Sequence, residues 1–178
     1  MNPGRAILPV VVLAALALGG CNVGLPPEVA GLGYVDRELK FALNVPPGWT
    51  FRESRGTAAV ILAAPAGTDE TRPNVTVVVA PAVGPLALAE LVSGNRDRLK
   101  ALQGIRLGAE EPRTLADGHE AMALTFDHAA LEKPVRQRQM YVVAAGRAYT
   151  VTATASPQAF DSHQAEFETV FRSFRAAW

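Results

Sequence analysis

His119-Glu120, Ser93, the carboxylate pairs Asp69-Glu70 and Glu110-Glu111, and the lone cysteine Cys21 are the residues here whose types could do chemistry. A zinc-protease helix built on His119-Glu120 needs a second histidine at position 123, where alanine stands. On a strand, adjacent side chains point to opposite faces and cannot share a substrate, so His119 reads as a turn residue. His128 reads as a loop residue and His163 as the exposed side of a helix, which leaves no expected metal site. Ser93, in Leu91-Val92-Ser93-Gly94, lacks the first glycine of a nucleophile elbow. Neither a P-loop nor a dinucleotide fingerprint occurs. The paired carboxylates are neighbours in sequence only and read as solvated. No catalytic residue, metal ligand or cofactor is expected, and a hydrolase with a dispersed, loop-borne site stays as an alternative.

Arg136 and Arg138, with Thr150, Thr152 and Thr154, offer binding rather than turnover. Residues 135–144 and 147–155, joined by Ala145-Gly146, read as a β-hairpin. The two arginines project from one face of their strand, while the threonines alternate with Tyr149, Val151 and Ala153 on the other. If arginines and threonines share a side, that face could hold an anionic or hydroxyl-rich ligand. The plainer reading is the solvated face of an antiparallel sheet.

Cys21 is explained by what precedes it. Residues 1–5 are short and positive, through the α-amino group and Arg5; residues 6–18 (AILPVVVLAALAL) are uncharged and apolar. That run is too short to span a bilayer, which takes about 20 residues as a helix, and Pro9 removes a backbone donor inside it. Gly19 and Gly20 follow, completing the three parts of an export signal. Leu18-Gly19-Gly20-Cys21 resembles a bacterial lipobox. The resemblance implies a diacylglycerol on the Cys21 thiol, cleavage between Gly20 and Cys21, and acylation of the new amino group. At about 0.8 kcal/mol per buried CH₂, one chain anchors marginally and two or three stably. The alternative is an ordinary cleaved signal with an incidental cysteine. Asn22, where aspartate resembles an inner-membrane retention signal, favours the outer membrane facing the periplasm in a Gram-negative cell.

The composition suits an exported globular chain: 49% hydrophobic and 7% aromatic, enough for a core and far from disorder. Losing residues 1–20 removes one basic residue, Arg5, and no acidic one, so a formal charge of zero becomes −1. That is no footprint for nucleic acid. With Cys21 lipidated no thiol remains for a disulfide, and about 145 residues suffice for one domain. Residues 21–33, rich in proline and glycine, read as a tether or as an arm lying along the domain. The organisation is therefore 1–20 signal, 21–33 tether, 34–178 domain.

Inside the domain, residues 39–43 alternate, Pro46-Pro47-Gly48 turns, and residues 49–51 read as the second strand of a hairpin. Residues 58–63 form another strand. Residues 74–80 (NVTVVVA) read as a central strand covered on both faces. Residues 86–103 read as a helix with Leu86, Leu88, Leu91, Leu99 and Leu102 on one stripe and Gly104 closing it. Strands at 105–107 and 120–126 flank an Asp117-Gly118 turn, with a loop at 127–134. A last helix begins at Ser156-Pro157 and buries Phe160, Phe167, Val170, Phe171 and Phe174. This order predicts an α+β fold, a largely antiparallel sheet with packed helices.

Phe41-Ala42-Leu43-Asn44-Val45-Pro46-Pro47-Gly48-Trp49 resembles the opening of the PsbP-like and DcrB-like proteins. Gly118-His119-Glu120-Ala121, Gly146-Arg147-Ala148-Tyr149 and Phe171-Arg172-Ser173-Phe174 follow that family's later pattern. The resemblance covers residues 34–178 and implies a PsbP-like α/β/α sandwich. Bacterial lipoproteins, a photosystem II extrinsic subunit and a Ran-binding protein belong to this family, mostly in non-enzymatic roles. The expected function is a membrane-anchored envelope lipoprotein that binds or assists a protein or small envelope ligand. A structural envelope lipoprotein is the alternative beside the hydrolase.

Overall fold

Alternating apolar residues and short turns fold most of this chain into antiparallel strands, which helices cover from both sides. The computed structural model describes residues 25–54, 56–69, 71–82, 86–130 and 133–178. The signal, the cleavage site Gly20-Cys21 and the first tether residues lie outside them. In chain order come β1 (Tyr34–Asp36), β2 (Phe41–Leu43), β3 (Thr50–Glu53), β4 (Val60–Ala63) and β5 (Asn74–Pro81). Then follow α1 (Leu88–Lys100), β6 (Arg106–Thr114), β7 (Glu120–Ala130), β8 (Lys133–Ala144) and β9 (Arg147–Ala155). The chain closes with α2 (Pro157–Ser162), α3 (Gln164–Ser173) and β10 (Arg175–Ala176).

One sheet runs β3-β4-β5-β9-β8-β7-β6, and a smaller one runs β1-β2-β10. The first face of the large sheet presents Val75, Val77, Val151, Met140 and Val142 to the phenylalanines of α2 and α3. The second presents Leu124, Phe126 and Tyr141 to Val92 of α1. Both faces are thus helix-covered, giving the expected α+β fold as an α/β/α sandwich. Each large apolar side chain buried there contributes roughly 1.5–3 kcal/mol before chain entropy is subtracted.

Local chemistry explains the boundaries. Ala145 (φ 45°) and Gly146 (φ 71°) are both left-handed, as the two-residue turn of a tight hairpin requires. Ser156 caps α2, its Oγ accepting the Ala159 N–H at 3.3 Å, with Pro157 at the first helical position. Val29 is fully buried, and Val29 and Ala30 donate their N–H groups to the Pro26 carbonyl at 3.0 Å. Residues 25–33 therefore form an ordered arm.

Several expectations are corrected. β2 pairs with β1 and β10, and β3 pairs with β4, so residues 39–51 cross between two sheets instead of forming a hairpin. β5 buries only Val75 and Val77; Asn74, Thr76 and Val78 are half-exposed because α1 packs over β7 and β8. α1 ends at Lys100, short of Gly104, and leaves Leu102 58% exposed. The loop expected at 127–134 is mostly strand, which puts His128 on β7. The last helix breaks at His163, whose ring packs edge-on to Trp49 with centroids 6.0 Å apart.

Candidate functional site

A charged groove lies where β6, the sheet's edge, meets the α2–α3 junction, and its geometry starts from one glycine. A Cβ on Gly108 would sit 2.9 Å from the Thr125 carbonyl oxygen, so β6 can lie this close to β7 only with glycine there. The ladder slips at this point: Leu107 pairs with Phe126, but Glu110 pairs with Leu124, one extra residue on β6. Such a bulge flips the alternation beyond it. Glu111 and Arg113 thereby share a face with Arg106, opposite Ala123, Ala121 and Asp127 respectively. β7–β8 pairing sets Asp127 beside Arg136 and Thr125 beside Arg138 on that same face. Glu110 turns to the other face and bonds Arg96 of α1 at 2.9 Å.

Two ion networks result. Arg138 is 8% exposed; its Nη1 donates to Glu168 Oε1 of α3 at 2.6 Å, its Nη2 donates to Glu111, and its guanidinium lies over the Phe171 ring. Arg113 donates through both Nη atoms to the two Glu168 oxygens at 3.0 Å, and Arg172 lies 3.4 Å from the same carboxylate. In the second network, Arg136 donates Nε and Nη2 to the two oxygens of Asp127 at 2.8 and 3.3 Å, and Nη1 to Asp161 of α2 at 3.0 Å. Arg106 stands 3.8 Å from Asp127 with an exposed side chain. Between the networks is an open cleft of about 670 Å³, its walls completed by Gly108, Thr125, Phe160 and Gln164.

Four of these groups, Glu168, Asp127, Arg136 and Arg113, are held toward their charged forms by their partners. Burial alone would raise the Glu168 carboxyl, but Arg113, Arg138 and Arg172 outweigh it and hold the pKa below the ordinary value. The hydrogen bond from Arg136 holds Asp127 down, against its burial. The same bonds raise Arg136, through Asp127, and Arg113, through Glu168. The arrangement suits charge-assisted recognition.

Of the site residues expected from the sequence, Arg136 and Arg138 come together here. Thr150, Thr152 and Thr154 do not join them. The β8–β9 register puts these threonines opposite Tyr141, Gln139 and Gln137, and puts Arg138 opposite Ala153. Directly opposed residues share a face, so arginines and threonines lie on opposite sides of the sheet and the composite face is not formed. Thr154 instead accepts a hydrogen bond from Gln137 at 3.1 Å, and Thr152 is buried. Glu110 and Glu111, read as solvated, are both ion-paired. His119 keeps its turn role, its Nδ1 3.1 Å from Asp117, which also accepts the Ala176 N–H at 2.8 Å. Asp127, Asp161 and Glu168 had no sequence signal, since their partners lie on other elements. Among the described residues there is no His/Cys/Asp/Glu cluster of metal-holding geometry and no helix long and apolar enough to cross a membrane.

Residues 32–176 match the PsbP family model. No curated protein matches the chain in sequence. Among solved structures, the fold is similar to the cyanobacterial PsbP (CyanoP) of Synechocystis sp. PCC 6803, at 16% identity and a TM-score of 0.62, covering 81% of this chain and 91% of that one. It is similar to LpqN of Mycobacterium tuberculosis, described as involved in cell envelope biogenesis, at 16% identity and a TM-score of 0.67, covering 78% and 83%. It is also similar to the Saccharomyces cerevisiae Ran-binding protein Mog1p, at 13% identity and a TM-score of 0.54, covering 80% and 93%. At such identities the likeness concerns the fold, while the family match spans most of the sequence: the chain belongs to the PsbP family.

Proposed function

We propose that this protein is a lipid-anchored envelope module that binds a protein or small envelope ligand without transforming it, and that the charged groove is its binding surface. The observation that carries the reading is geometric: arginines and carboxylates fixed by mutual hydrogen bonds line an open cleft of about 670 Å³. Asp127 and Glu168 are pushed down, and Arg113 and Arg136 are pushed up, so each stays ionised near neutral pH. General acid–base work favours a group poised near the operating pH, whereas recognition favours fixed, preorganised charge. Support for the anchor comes from the lipobox-like Leu18-Gly19-Gly20-Cys21. The packed arm includes Pro26, whose carbonyl accepts two backbone N–H groups, and the five residues from Cys21 to Pro26 span at most about 18 Å of extended chain. That LpqN is described as involved in cell envelope biogenesis and Mog1p as a Ran-binding protein fits a scaffold used for binding.

The test has two arms. Cys21→Ala should move the protein from the membrane to the soluble fraction with the fold unchanged; retention at unaltered mass defeats the anchor. Arg106→Glu changes an exposed groove cation and should weaken photo-cross-linking to envelope components from the groove wall. Thr150→Glu, on the opposite face, should not. Equal cross-linking in wild type and Arg106→Glu defeats the groove.

A further inference from the structure

Arg136 and Arg138 sit two residues apart on β8, and a guanidinium offers the same donors in each: an end edge formed by Nη1 and Nη2, and a side edge formed by Nε and Nη2. The side edge of Arg136 is filled on both atoms by the two oxygens of Asp127, at 2.8 and 3.3 Å. The side edge of Arg138 is not. Its Nη2 donates to a single oxygen of Glu111, and its Nε, fully buried, has no acceptor among the described residues. A buried donor left unmatched costs its desolvation, and a planar carboxylate spanning both atoms would remove that cost.

Glu111 belongs to the edge strand just beyond the bulge, and its side chain is 49% exposed although its partner Arg138 is only 10% exposed. An exposed edge residue can leave; the buried arginine cannot, being held from the other end by Glu168 and packed on Phe171. Glu111 and Arg138 both line the 670 Å³ cleft, with the exposed Arg106 beside them.

Resting on the reading of the groove as the binding surface, the geometry points to the Nε–Nη2 edge of Arg138 as a carboxylate-binding subsite that Glu111, bonded to Nη2 alone, leaves half-filled and competes for. A carboxylate carried by the ligand displaces the Glu111 side chain and bonds the edge through both oxygens. Glu111 is then a competitor tethered beside the subsite. Apparent affinity for a carboxylate is reduced by the fraction of time the edge is open.

Sodium acetate is the probe, with sodium phosphate and sodium chloride at matched ionic strength as comparison arms. The readout is the Arg138 Nε–Hε NMR resonance, assigned by its proximity to the Phe171 ring. The Glu111→Ala variant should bind acetate at least tenfold more tightly than wild type. The Glu110→Ala variant, which makes the same charge change on the opposite face, should match wild type. Equal acetate affinity in wild type and Glu111→Ala overturns the inference. So does the same gain in Glu110→Ala, or a chloride response matching that of acetate. Phosphate binding Glu111→Ala more tightly than acetate overturns the carboxylate assignment. The cross-linking test separates this from the broader reading. If Arg106→Glu weakens cross-linking while acetate shows no gain, the groove stands and the subsite falls. If acetate binds Glu111→Ala tightly while Arg106→Glu is silent, the subsite is real and the groove is not the partner surface.

Discussion

Replacing Glu168 with glutamine perturbs the groove most severely, because one carboxylate there serves three arginines. Its side chain is 16% exposed and accepts two hydrogen bonds from Arg113 at 3.0 Å and one from Arg138 at 2.6 Å, with Arg172 at 3.4 Å. Glutamine keeps the shape but removes the charge, and turns an N–H₂ toward guanidinium donors. Breaking a buried pair by removing one partner costs roughly 3–5 kcal/mol, because a charge is left buried and uncompensated. Glu111 still contacts Arg138 and lies 3.5 Å from Arg113, so the lower end applies, about 3 kcal/mol. With a urea dependence of about 2 kcal/mol per molar, the unfolding midpoint should fall by about 1.5 M. The pH dependence carries its own sign. A carboxyl held below its ordinary value of 4.5 stabilises fully above that value, and loses the contribution as pH falls through the lower folded pKa. The gap between wild type and Glu168→Gln should therefore be full at pH 7 and shrink progressively below pH 4.5. The assay is urea unfolding by far-UV circular dichroism at pH 7 and pH 3, with Arg113→Gln and the double variant completing a cycle. A gap under 1 kcal/mol at pH 7, an undiminished gap at pH 3, or strict additivity with Arg113→Gln would refute the reasoning.

Gly108→Ala drives a Cβ to 2.9 Å from a backbone oxygen, so β6 must move from β7; a loss of about 1–3 kcal/mol is expected, together with weaker groove binding, and a neutral substitution would show that the bulge does not need glycine. Tyr34, Tyr141 and Tyr149 are all the tyrosines of the chain, and burial is the largest cause raising each, Tyr34 and Tyr141 to about 12. Absorbance at 295 nm should thus show less tyrosinate at pH 10 than three free tyrosines would form, with Tyr34 and Tyr141 still protonated. Because the folded pKa is raised, the stability these groups add is complete below 10 and lost as pH climbs through the folded value. A tyrosine titrating at 10 in the folded protein would contradict that burial.

The elements that were legible are those whose signal is local. The 147–155 strand, the Ser156 cap and the phenylalanine stripe each follow from period and turn chemistry within a few residues. The β2–β3 error has the opposite cause: Pro46-Pro47-Gly48 does reverse the chain, but a turn signal does not say which strands pair. The separation of arginines from threonines could have been read. A two-residue turn at Ala145-Gly146 pairs 144 with 147, and counting back puts Arg138 opposite Ala153 rather than a threonine. Most of the acidic half of the groove could not: Asp161 and Glu168 lie on helices and meet the arginines only through tertiary packing, and Asp127 meets Arg136 through β7–β8 pairing in a segment that reads as a loop.

The groove forms where two regular patterns stop. On one wall β6 inserts an extra residue at Gly108; on the other the final helix breaks at His163, between Asp161 and Gln164, which line the cleft. Were β6 regular, alternation from Arg106 would send Glu111 to the α1 face and Glu110 to the groove, exchanging which carboxylate meets Arg138 and which meets Arg96. Adjacency in sequence alone reads Glu110-Glu111 as one solvated pair, whereas the strand runs through both and sends them to opposite faces. The residue that breaks the rule, Gly108, is also the one that places a carboxylate on the buried arginine. Sequences agree with their folds at most positions and depart from local rules where a site is built, and in this chain the departure and the site coincide.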